Sequence, residues 1–258
     1  MTTYTEAKPA GTPTWIDLAT PDAEGARAFY KAVFGWDYDI GGPEYGGYTT
    51  ARVGQNQVAG IGGNVMPDGS TVPVTWSVYF ASENAEADVA SAVELGAKVL
   101  LPPMAVGPFG TMANLVDPGG AVFSYWQAGT HIGAEVMDEP GSVTWFELCA
   151  VDVKQSRDFY AALLGTPAEP LPGDMEYYAF KHGDAMLGGV MQIAPSWGDF
   201  QPQWVVYFAV ANADETVAAV VKNGGKALST IDDTPYGRMA AVADPFGAYF
   251  KVLQLPAR

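Results

Sequence analysis

The amino-acid sequence predicts an α+β fold of two homologous domains, each built from two β-α-β-β-β modules. The first observation is internal repetition. The motif Phe29-Tyr30 recurs as Phe159-Tyr160, and TWSVYFASENAEADVASAVELGAKVL recurs as QWVVYFAVANADETVAAVVKNGGKAL, both at an offset of about 130 residues. Repetition at a fixed offset is typical of duplicated structural units. We therefore expect one domain at residues 1–130 and a second at residues 131–258, joined by the polar segment AGTHIGAEVMDEPGS.

The second observation is that strand-like and helix-like hydrophobic patterns alternate within each domain. In the first domain the predicted elements are a strand at residues 14–19, a helix at 22–34, two or three short strands within 45–65, a strand at 74–81, a helix at 86–95, and strands at 112–116 and 122–127. The segment Thr20-Pro21-Asp22 supplies the chemistry of a helix start for the first helix, and Ser82, with acids just after it, does so for the second. An Asp-Pro-Gly-Gly sequence predicts the turn between the last two strands.

The composition argues against several classes of function. The 258 residues carry a formal net charge of −16, which disfavours nucleic acid because a polyanion would be repelled. No apolar segment approaches the roughly 18 residues that a membrane-spanning helix needs, and the N-terminus lacks the pattern of a signal peptide. A single cysteine, Cys149, suits a reducing compartment. We therefore expect a cytoplasmic protein without nucleic-acid or membrane partners, whose acidity favours a cationic ligand or provides solubility alone.

A set of motifs connects this arrangement to a known family. Each domain has a strand followed by an Asp, a helix that ends in FYxxxxG, and a DPxG turn before the final strand. In these motifs the sequence resembles the vicinal oxygen chelate superfamily, which includes glyoxalase I, extradiol dioxygenases, fosfomycin-resistance enzymes and bleomycin-binding proteins. It resembles in particular the two-domain glyoxalase-like proteins of actinobacteria. The resemblance implies tandem glyoxalase-like domains, in which each pair of modules forms one cupped mixed sheet with its ligand in the concave face.

Within such a fold, strand alternation identifies the residues that face each cup. Trp15 and Asp17 share the concave side of the first strand, and Trp145, Glu147 and Cys149 share it in the second domain. We predict Asp17 and Glu147 as the catalytic candidates. Each carboxylate has three interpretations: a general acid or base whose pKa is raised by apolar surroundings, a counter-ion for a cationic ligand, or a structural group satisfied by neutral donors.

The predicted ligand-binding residues are mostly aromatic, as is typical of a small-molecule pocket. They are Trp15, Tyr79, Phe109, Trp145, Tyr207, Tyr236 and Arg238. Phe109 and Tyr236 belong to turns at the expected cup mouths, and Arg238 would bind an anion if it faces the second cup; otherwise it is an edge or surface charge. Trp76 and Trp204 are expected to face the helices instead. The alternative is that the aromatic rings simply fill each cup as a second core.

The resemblance also implies a divalent metal, held by His and Glu side chains of the first and fourth strands of each module. The implied ligand positions fall near Trp15, Ala59, Ser77 and Ser124 in the first domain and near Trp145, Leu187, Val205 and Lys251 in the second. None of these side chains is a credible metal ligand. The two histidines lie elsewhere, His131 in the linker and His182 in a predicted hairpin turn. We therefore expect no metal and no other cofactor.

Two side chains of the second cup carry further expectations. Lys251 lies at one of the implied metal positions, where it would pair with Glu147 across the cup and make that domain structural. Cys149 is expected to be an inert buried thiol, because no His or basic neighbour is predicted to activate it.

Two classes of function follow. The first is a metal-independent binding protein for a small aromatic or cationic molecule, as implied by the acidic bleomycin-binding relatives that lack metal ligands. The second is a metal-free or weakly metal-dependent enzyme of lyase, isomerase or hydroxylase-like type. It would act on a small carbonyl-bearing metabolite, with Asp17 or Glu147 as general base and a Tyr as hydrogen-bond donor. It follows from the resemblance to the so-called hydroxylases of antibiotic pathways in secondary metabolism. The expected partner is a small molecule, and the chain is expected to be a monomer or a homodimer.

Overall fold

The computed structural model describes residues 2–65, 69–173, 175–183 and 185–256, and it has the predicted α+β architecture. The elements of the first half are β1 (Thr2–Thr3), β2 (Pro13–Thr20), α1 (Ala23–Phe34), β3 (Asp37–Ile40), β4 (Thr49–Val53), β5 (Asn56–Gly63), β6 (Thr75–Ser82), α2 (Ala85–Glu94), β7 (Lys98–Val106), β8 (Gly110–Val116) and β9 (Val122–Ala128). Those of the second half are β10 (Val136–Met137), β11 (Val143–Ala150), α3 (Val153–Leu163), β12 (Ala168–Pro170), β13 (Tyr177–His182), β14 (Ala185–Gln192), β15 (Gln203–Ala209), α4 (Ala213–Lys222), β16 (Lys226–Ala227), β17 (Asp232–Thr234), β18 (Gly237–Ala243) and β19 (Tyr249–Gln254). Short 3₁₀ helices lie at Pro43–Tyr45 and Pro195–Trp197.

The predicted elements lack β1, a two-residue strand that pairs with β10. They also lack two longer strands of the first half, β3 and β7. Both lie at the outer edges of their sheet, and most of their side chains are exposed, so they lack the apolar alternation of an internal strand. Strand β7 also contains Pro102 and Pro103, and its pairing with β8 is irregular between Leu101 and Met104. Proline is tolerated at such positions because an edge strand leaves one row of backbone groups unpaired.

Each half forms one large mixed sheet from its two modules. The strand order is β3-β4-β5-β2-β6-β9-β8-β7 in the first sheet and β12-β13-β14-β11-β15-β19-β18-β16 in the second, with β17 paired to β18. The first strands of the two modules, β2 and β6, lie side by side and antiparallel. Each is flanked by the last strand of its own module in parallel orientation, β5 beside β2 and β9 beside β6. The centre of the sheet is therefore built from the first and last strands of both modules.

The first sheet is strongly curled. The ring of Tyr45, between β3 and β4 at one end, lies 5.4 Å from the ring of Phe109, between β7 and β8 at the other end. The two ends of an eight-stranded sheet can meet only if the sheet closes around a concave face. We call the concave face of the first sheet the first cup and that of the second sheet the second cup.

The helices begin with side-chain caps. Asp22 accepts a hydrogen bond from the backbone N–H of Gly25 at the start of α1, as predicted. Helix α2 is capped by Asn84, which accepts from the N–H of Ala87. The expectation that Ser82 caps α2 was wrong, because its hydroxyl lies 2.5 Å from the Asp88 carboxylate.

The convex, helix-bearing faces of the two sheets pack against each other in one shared core. Within it, the Tyr30 hydroxyl of the first Phe-Tyr motif donates to Asp244 Oδ2 of the second Asp-Pro motif at 3.2 Å. Trp76 Nε1 in turn donates to the Tyr30 hydroxyl at 3.2 Å. Both tryptophans predicted to face the helices, Trp76 and Trp204, lie in this core.

The same arrangement recurs with the halves exchanged. Trp204 Nε1 donates to the Tyr160 hydroxyl at 2.9 Å. Burial raises the pKa of Tyr160, and the charge of Asp117 in the first Asp-Pro motif raises it further. Two of the repeated motifs therefore act together across the two halves, since the tyrosine of each half lies against the aspartate of the other. The boundary between residues 130 and 131 stays a prediction.

The predicted linker is ordered on the body of the protein. Its residues Val136 and Met137 form β10, which pairs with β1 at the N-terminus. The backbone N–H of Ala134 donates to Thr14 O at 2.7 Å and so holds the linker against β2. None of the helices among the described residues combines the length and the apolar character that a bilayer span requires.

Candidate functional site

The first cup is built around Asp17. Strand alternation sends Ile16 and Leu18 of β2 into the shared core, so that Trp15 and Asp17 face the cup, as predicted. Tyr79 on the adjacent strand β6 is paired with Trp15 and donates its hydroxyl hydrogen bond to Asp17 Oδ2 at 2.8 Å. Trp15 Nε1 donates to Asp17 Oδ1, also at 2.8 Å. Two of the predicted aromatic residues thus hold the predicted acid.

A third donor, Tyr48, is absent from the predicted site. Its hydroxyl donates to Asp17 Oδ1 and accepts a hydrogen bond from Trp15 Nε1 at 2.9 Å. Room for it comes from Gly60 on β5, where a Cβ atom would overlap both the Tyr48 hydroxyl and Asp17 Oδ1. A signal exists in the sequence, since Tyr48 and Tyr177 occupy matching positions in the two halves at the same offset as the other repeats.

The three donors hold a carboxylate in a poorly hydrated place. Asp17 itself is only partly exposed, while Trp15 and Tyr79 are 3% and 4% exposed. Burial raises the pKa of Asp17, and the hydrogen bonds from Tyr48, Tyr79 and Trp15 oppose that rise. Every donor that reaches Asp17 within the described residues is neutral. The cup therefore holds an acid with hydrogen bonds but without a counter-charge.

His131 of the linker packs over the first cup. Its ring lies edge-on to Trp15 with the ring centroids 4.4 Å apart, and it also contacts Trp126 at 5.4 Å. Trp126 Nε1 donates to the His131 carbonyl at 2.8 Å, which fixes the backbone there. Burial lowers the pKa of His131 to about 4, so this imidazole is neutral at pH 7. The prediction placed His131 correctly outside the strands but missed its contact with the cup.

The mouth of the first cup is narrowed by Phe109. The residue is 38% exposed, and its ring lies edge-on to Tyr45, which comes from the opposite end of the sheet. The structure therefore brings Phe109 to the rim, as the turn position suggests.

The second cup repeats the first with one addition, the partly buried ammonium group of Lys251. Lys251 Nζ on β19 lies 2.9 Å from Glu147 Oε2 and donates to the Tyr207 hydroxyl at 2.6 Å. Glu147 is 4% exposed. Trp145 Nε1 donates to the Tyr177 hydroxyl at 2.9 Å, as Trp15 does to Tyr48 in the first cup. The predicted contact between Lys251 and Glu147 is present.

Cys149 lies in the apolar floor of the second cup. It is fully buried, and burial raises the pKa of its thiol to about 12, with a further rise from the charge of Glu147. A thiol with such a pKa is protonated at neutral pH and is a poor nucleophile.

One of the predicted ligand-binding residues, Arg238, faces away from the second cup, and the place of Tyr236 at the mouth of that cup stays a prediction. Tyr236 lies in the turn before β18 and is 59% exposed. The Arg238 guanidinium forms ion pairs with Asp214, in the first turn of α4, at 2.8 Å and with Asp233 at 3.1 Å. Arg238 lies directly opposite Gln254, whose side chain accepts from the start of α4. Because residues opposite each other share a face, Arg238 points to the helix side.

The residues at the centre of each cup do not fit a divalent metal. The strand-four positions differ from those implied, since Ala59 and Leu187 pack into the shared core and Gly60 and Gly189 face the cups. At the centre of the second cup, the ammonium group of Lys251 would repel a metal cation. Among the residues that the structure describes, no three His, Cys, Asp or Glu side chains lie close enough together to hold a metal ion.

Comparison with known proteins agrees with this architecture. The signature of the Glyoxalase/Bleomycin resistance protein/Dioxygenase superfamily matches residues 12–125 and 142–252. The chain is 36% identical to "Anthracycline biosynthesis protein DnrV" of Streptomyces peucetius, over 95% of this chain and 94% of that one. It is 37% identical to "Putative glyoxylase CFP32" of Mycobacterium tuberculosis, over 95% of each chain.

Among solved structures, the fold is similar to that of the Mn(II)-bound glyoxalase from Novosphingobium aromaticivorans. The TM-score is 0.66 at 13% sequence identity, over 95% of this chain and 82% of that one. At such identity the similarity concerns the fold alone. The sequence match in both halves and the relatives above show that the chain belongs to the Glyoxalase/Bleomycin resistance protein/Dioxygenase superfamily.

Proposed function

We propose that this chain is a metal-independent binding protein for a small aromatic or cationic molecule, and that the first cup is its binding site. The observation that carries the proposal is the carboxylate of Asp17, which three neutral side chains hold without a counter-charge. A buried carboxylate is destabilised by lost hydration unless a cation or a proton compensates it. A cationic ligand would supply that compensation and would lower the pKa of Asp17 again.

The hydrogen-bond count at Asp17 favours the role of counter-ion. A carboxylate offers about four lone-pair positions. Among the described residues, Oδ1 accepts from Tyr48 and Trp15, and Oδ2 accepts from Tyr79, so their bonds leave one position on Oδ2 for a ligand. That single position, flanked by aromatic rings, suits one N–H of a cation whose apolar body lies against the rings.

The second cup lacks this feature, because Lys251 already neutralises Glu147. We propose that the second cup is structural. Its carboxylate has a permanent counter-ion 2.9 Å away, so a ligand cation would have to displace a partly buried lysine.

Relatives support a place in the chemistry of aromatic secondary metabolites. Two Streptomyces proteins that are 36% and 35% identical to this chain are named as anthracycline biosynthesis proteins. A ligand with a fused aromatic body would match the aromatic walls of the first cup.

A second candidate function is an enzyme acting on a small carbonyl-bearing metabolite. The raised pKa of Asp17 favours it, because a carboxyl group with such a pKa can accept and return a proton. The Tyr79 hydroxyl, which donates to Asp17 in the free protein, would then turn to donate to the carbonyl oxygen. Loss of the carboxylate separates the two candidates, since a general base contributes roughly 10²–10⁴-fold to a rate whereas its loss leaves binding largely intact.

The proposal is tested by titrating the protein at pH 7 with 1-naphthylmethylamine, which is protonated there, and with the neutral 1-naphthalenemethanol, following Trp fluorescence. We expect the wild type to bind the amine more tightly than the alcohol. Asp17→Asn should weaken amine binding by about tenfold or more, equivalent to ~1.4 kcal/mol, and leave alcohol binding unchanged.

The matched control is Glu86→Gln, which removes one negative charge from the exposed first turn of α2. It should bind both probes as the wild type does. Equal amine affinity of Asp17→Asn and wild type would overturn the role of Asp17, and no preference for the amine over the alcohol would overturn the cationic ligand class.

A further inference from the structure

The two cups differ at one central position. Strand β9 of the first sheet and β19 of the second run parallel to the neighbouring strands β6 and β15, and the residues at the matching register positions are Ser124 and Lys251. Ser124 lies beside Tyr79, and Lys251 lies beside Tyr207. The tyrosine is therefore the same in both cups, and the acid differs by one methylene, while serine replaces lysine.

We propose that this position decides which cup accepts a cation, and that the Lys251 ammonium shows how a ligand ammonium binds in the first cup. The inference rests on the proposed function. In the second cup the chain's own ammonium bonds to a carboxylate, Glu147, and to a tyrosine hydroxyl, Tyr207. The corresponding pair in the first cup, Asp17 and Tyr79, has no such ammonium, because Ser124 ends at its hydroxyl.

The ligand class follows from those two bonds. Lys251 uses two N–H donors at once, one to Glu147 Oε2 at 2.9 Å and one to the Tyr207 hydroxyl at 2.6 Å. A ligand that reproduces them needs an ammonium group with at least two N–H bonds, which a primary or secondary alkylammonium has. A quaternary ammonium carries the same charge but donates no hydrogen bond, so it satisfies neither oxygen. The ligand of the first cup is therefore an alkylammonium attached to an aromatic body.

A second difference makes the exchange of these residues feasible. Opposite Ser124 on β8 stands Asn114, whose Oδ1 accepts from the Ser124 hydroxyl at 3.1 Å. Opposite Lys251 on β18 stands the smaller Ala241. The pair Asn114 and Ser124 in one cup thus corresponds to Ala241 and Lys251 in the other, and a lysine at the first position needs the smaller neighbour.

The test transplants the pair. Asn114→Ala/Ser124→Lys installs an ammonium beside Asp17, with Asn114→Ala alone as the matched control. Titration with 1-naphthylmethylamine should give one site for the wild type and for the control, and a loss of affinity of at least tenfold for the double variant. The wild type should also bind the amine at least tenfold more tightly than its N,N,N-trimethyl analogue. The reciprocal variant Ala241→Asn/Lys251→Ser should raise the stoichiometry from one to two.

A second measurement needs no ligand. Because a neighbouring ammonium lowers the pKa of a carboxyl group, Asn114→Ala/Ser124→Lys should gain stability over Asn114→Ala at pH 8 and lose that gain at pH 4, in urea unfolding. This readout separates two failures. If the wild type does not bind the amine but the double variant gains stability, the proposed function is overturned. The inference that an ammonium at position 124 pairs with Asp17 would still hold. Wild-type affinity in the double variant, without a stability gain, would overturn the inference itself, whether or not the reciprocal variant folds.

Discussion

In the second cup, Lys251 Nζ lies 2.9 Å from Glu147 Oε2, and both side chains are withdrawn from water, with 14% and 5% of their surfaces exposed. In such a place each charge is stable only because the other compensates it. The attraction between the charges offsets the lost hydration only while both are present. Removal of one partner leaves the other buried and uncompensated.

We therefore expect Lys251→Met to destabilise the protein by about 3–5 kcal/mol, the cost typical of leaving one buried charge unpaired. Urea unfolding at pH 7 measures the change. Glu147→Gln/Lys251→Met should recover part of the loss, because the remaining amide is neutral. The surface control is Lys154→Met, whose partner Glu176 is 3.7 Å away and exposed; it should cost less than about 1 kcal/mol. Equal stability of Lys251→Met and wild type would show that the pair contributes nothing.

Gly60→Ala should disturb the first cup. A Cβ at Gly60 would overlap the Tyr48 hydroxyl and Asp17 Oδ1, so Tyr48 must move away from the acid. We expect a loss of about 1–3 kcal/mol from crowding, together with weaker binding of a cationic probe, measured by urea unfolding and fluorescence titration. Gly62→Ala is the control on the same strand, because its Cβ would meet Tyr48 only at 3.5 Å, an ordinary contact. The same loss in both variants would argue against a specific role for Gly60.

The stability of Asp17→Asn relative to wild type should increase as the pH rises. Burial raises the pKa of Asp17 in the folded state, so between the unfolded and the folded pKa the native protein binds more protons than the unfolded chain. The stability of the wild type therefore decreases across that pH window. The asparagine variant does not show this decrease, because its amide does not titrate. Urea unfolding from pH 4 to pH 8 should show the difference growing by the order of 1 kcal/mol. A difference independent of pH would mean that Asp17 titrates alike in both states.

Much of the fold and part of the site could be predicted from the sequence. The internal repeats identify the modules, because a duplicated chain keeps the same hydrophobic pattern in each copy. Strand alternation places Trp15 and Asp17 in the first cup and Trp145 and Glu147 in the second. These residues lie on central strands and follow the register shift at the start of each strand, so from there on the period of two fixes the face that each side chain takes.

The rest of the site depends on parts of the chain without a period. Tyr48 directly precedes β4, the second strand from the edge of the sheet, and donates a hydrogen bond to Asp17. His131 lies in the linker and packs against the ring of Trp15. Arg238 sits on a strand, but its direction depends on the register with β19. The Phe-Tyr and Asp-Pro motifs were visible as repeats, yet their contact joins opposite halves, as between Tyr30 and Asp244, and no spacing within one half indicates it.

His131 should make the protein lose stability as the pH falls from about 6.5 to about 4. Burial lowers its pKa from 6.5 to about 4, so in this window the unfolded chain takes up a proton that the folded protein does not. His131→Phe keeps a ring beside Trp15 and does not titrate. Its stability relative to wild type should therefore rise by up to ~3 kcal/mol between pH 7 and pH 4, as measured by urea unfolding. A constant difference over this range would show that the imidazole is accessible to protons in the folded state.

Tyr30→Phe tests whether the two halves unfold together. The variant removes the hydroxyl that joins Trp76 of the first half to Asp244 of the second. It leaves a buried indole N–H and a carboxylate oxygen without this partner, which should cost about 2–3 kcal/mol. Because both sheets share one core, we expect wild type and variant to unfold in a single transition with the same dependence on urea, shifted to a lower midpoint in the variant.

The control for this last variant is Tyr38→Phe, which removes a hydroxyl that donates to Arg27 O within the first half at 2.8 Å. This bond is partly exposed, so its loss should cost about 1 kcal/mol or less. Calorimetry distinguishes the outcomes, since a shared core requires the calorimetric and van't Hoff enthalpies to agree. Two resolved transitions in the wild type, only one of which shifts in Tyr30→Phe, would contradict this expectation. Each half would then fold without the other, and the contact from Tyr30 to Asp244 would only join two independently folded domains.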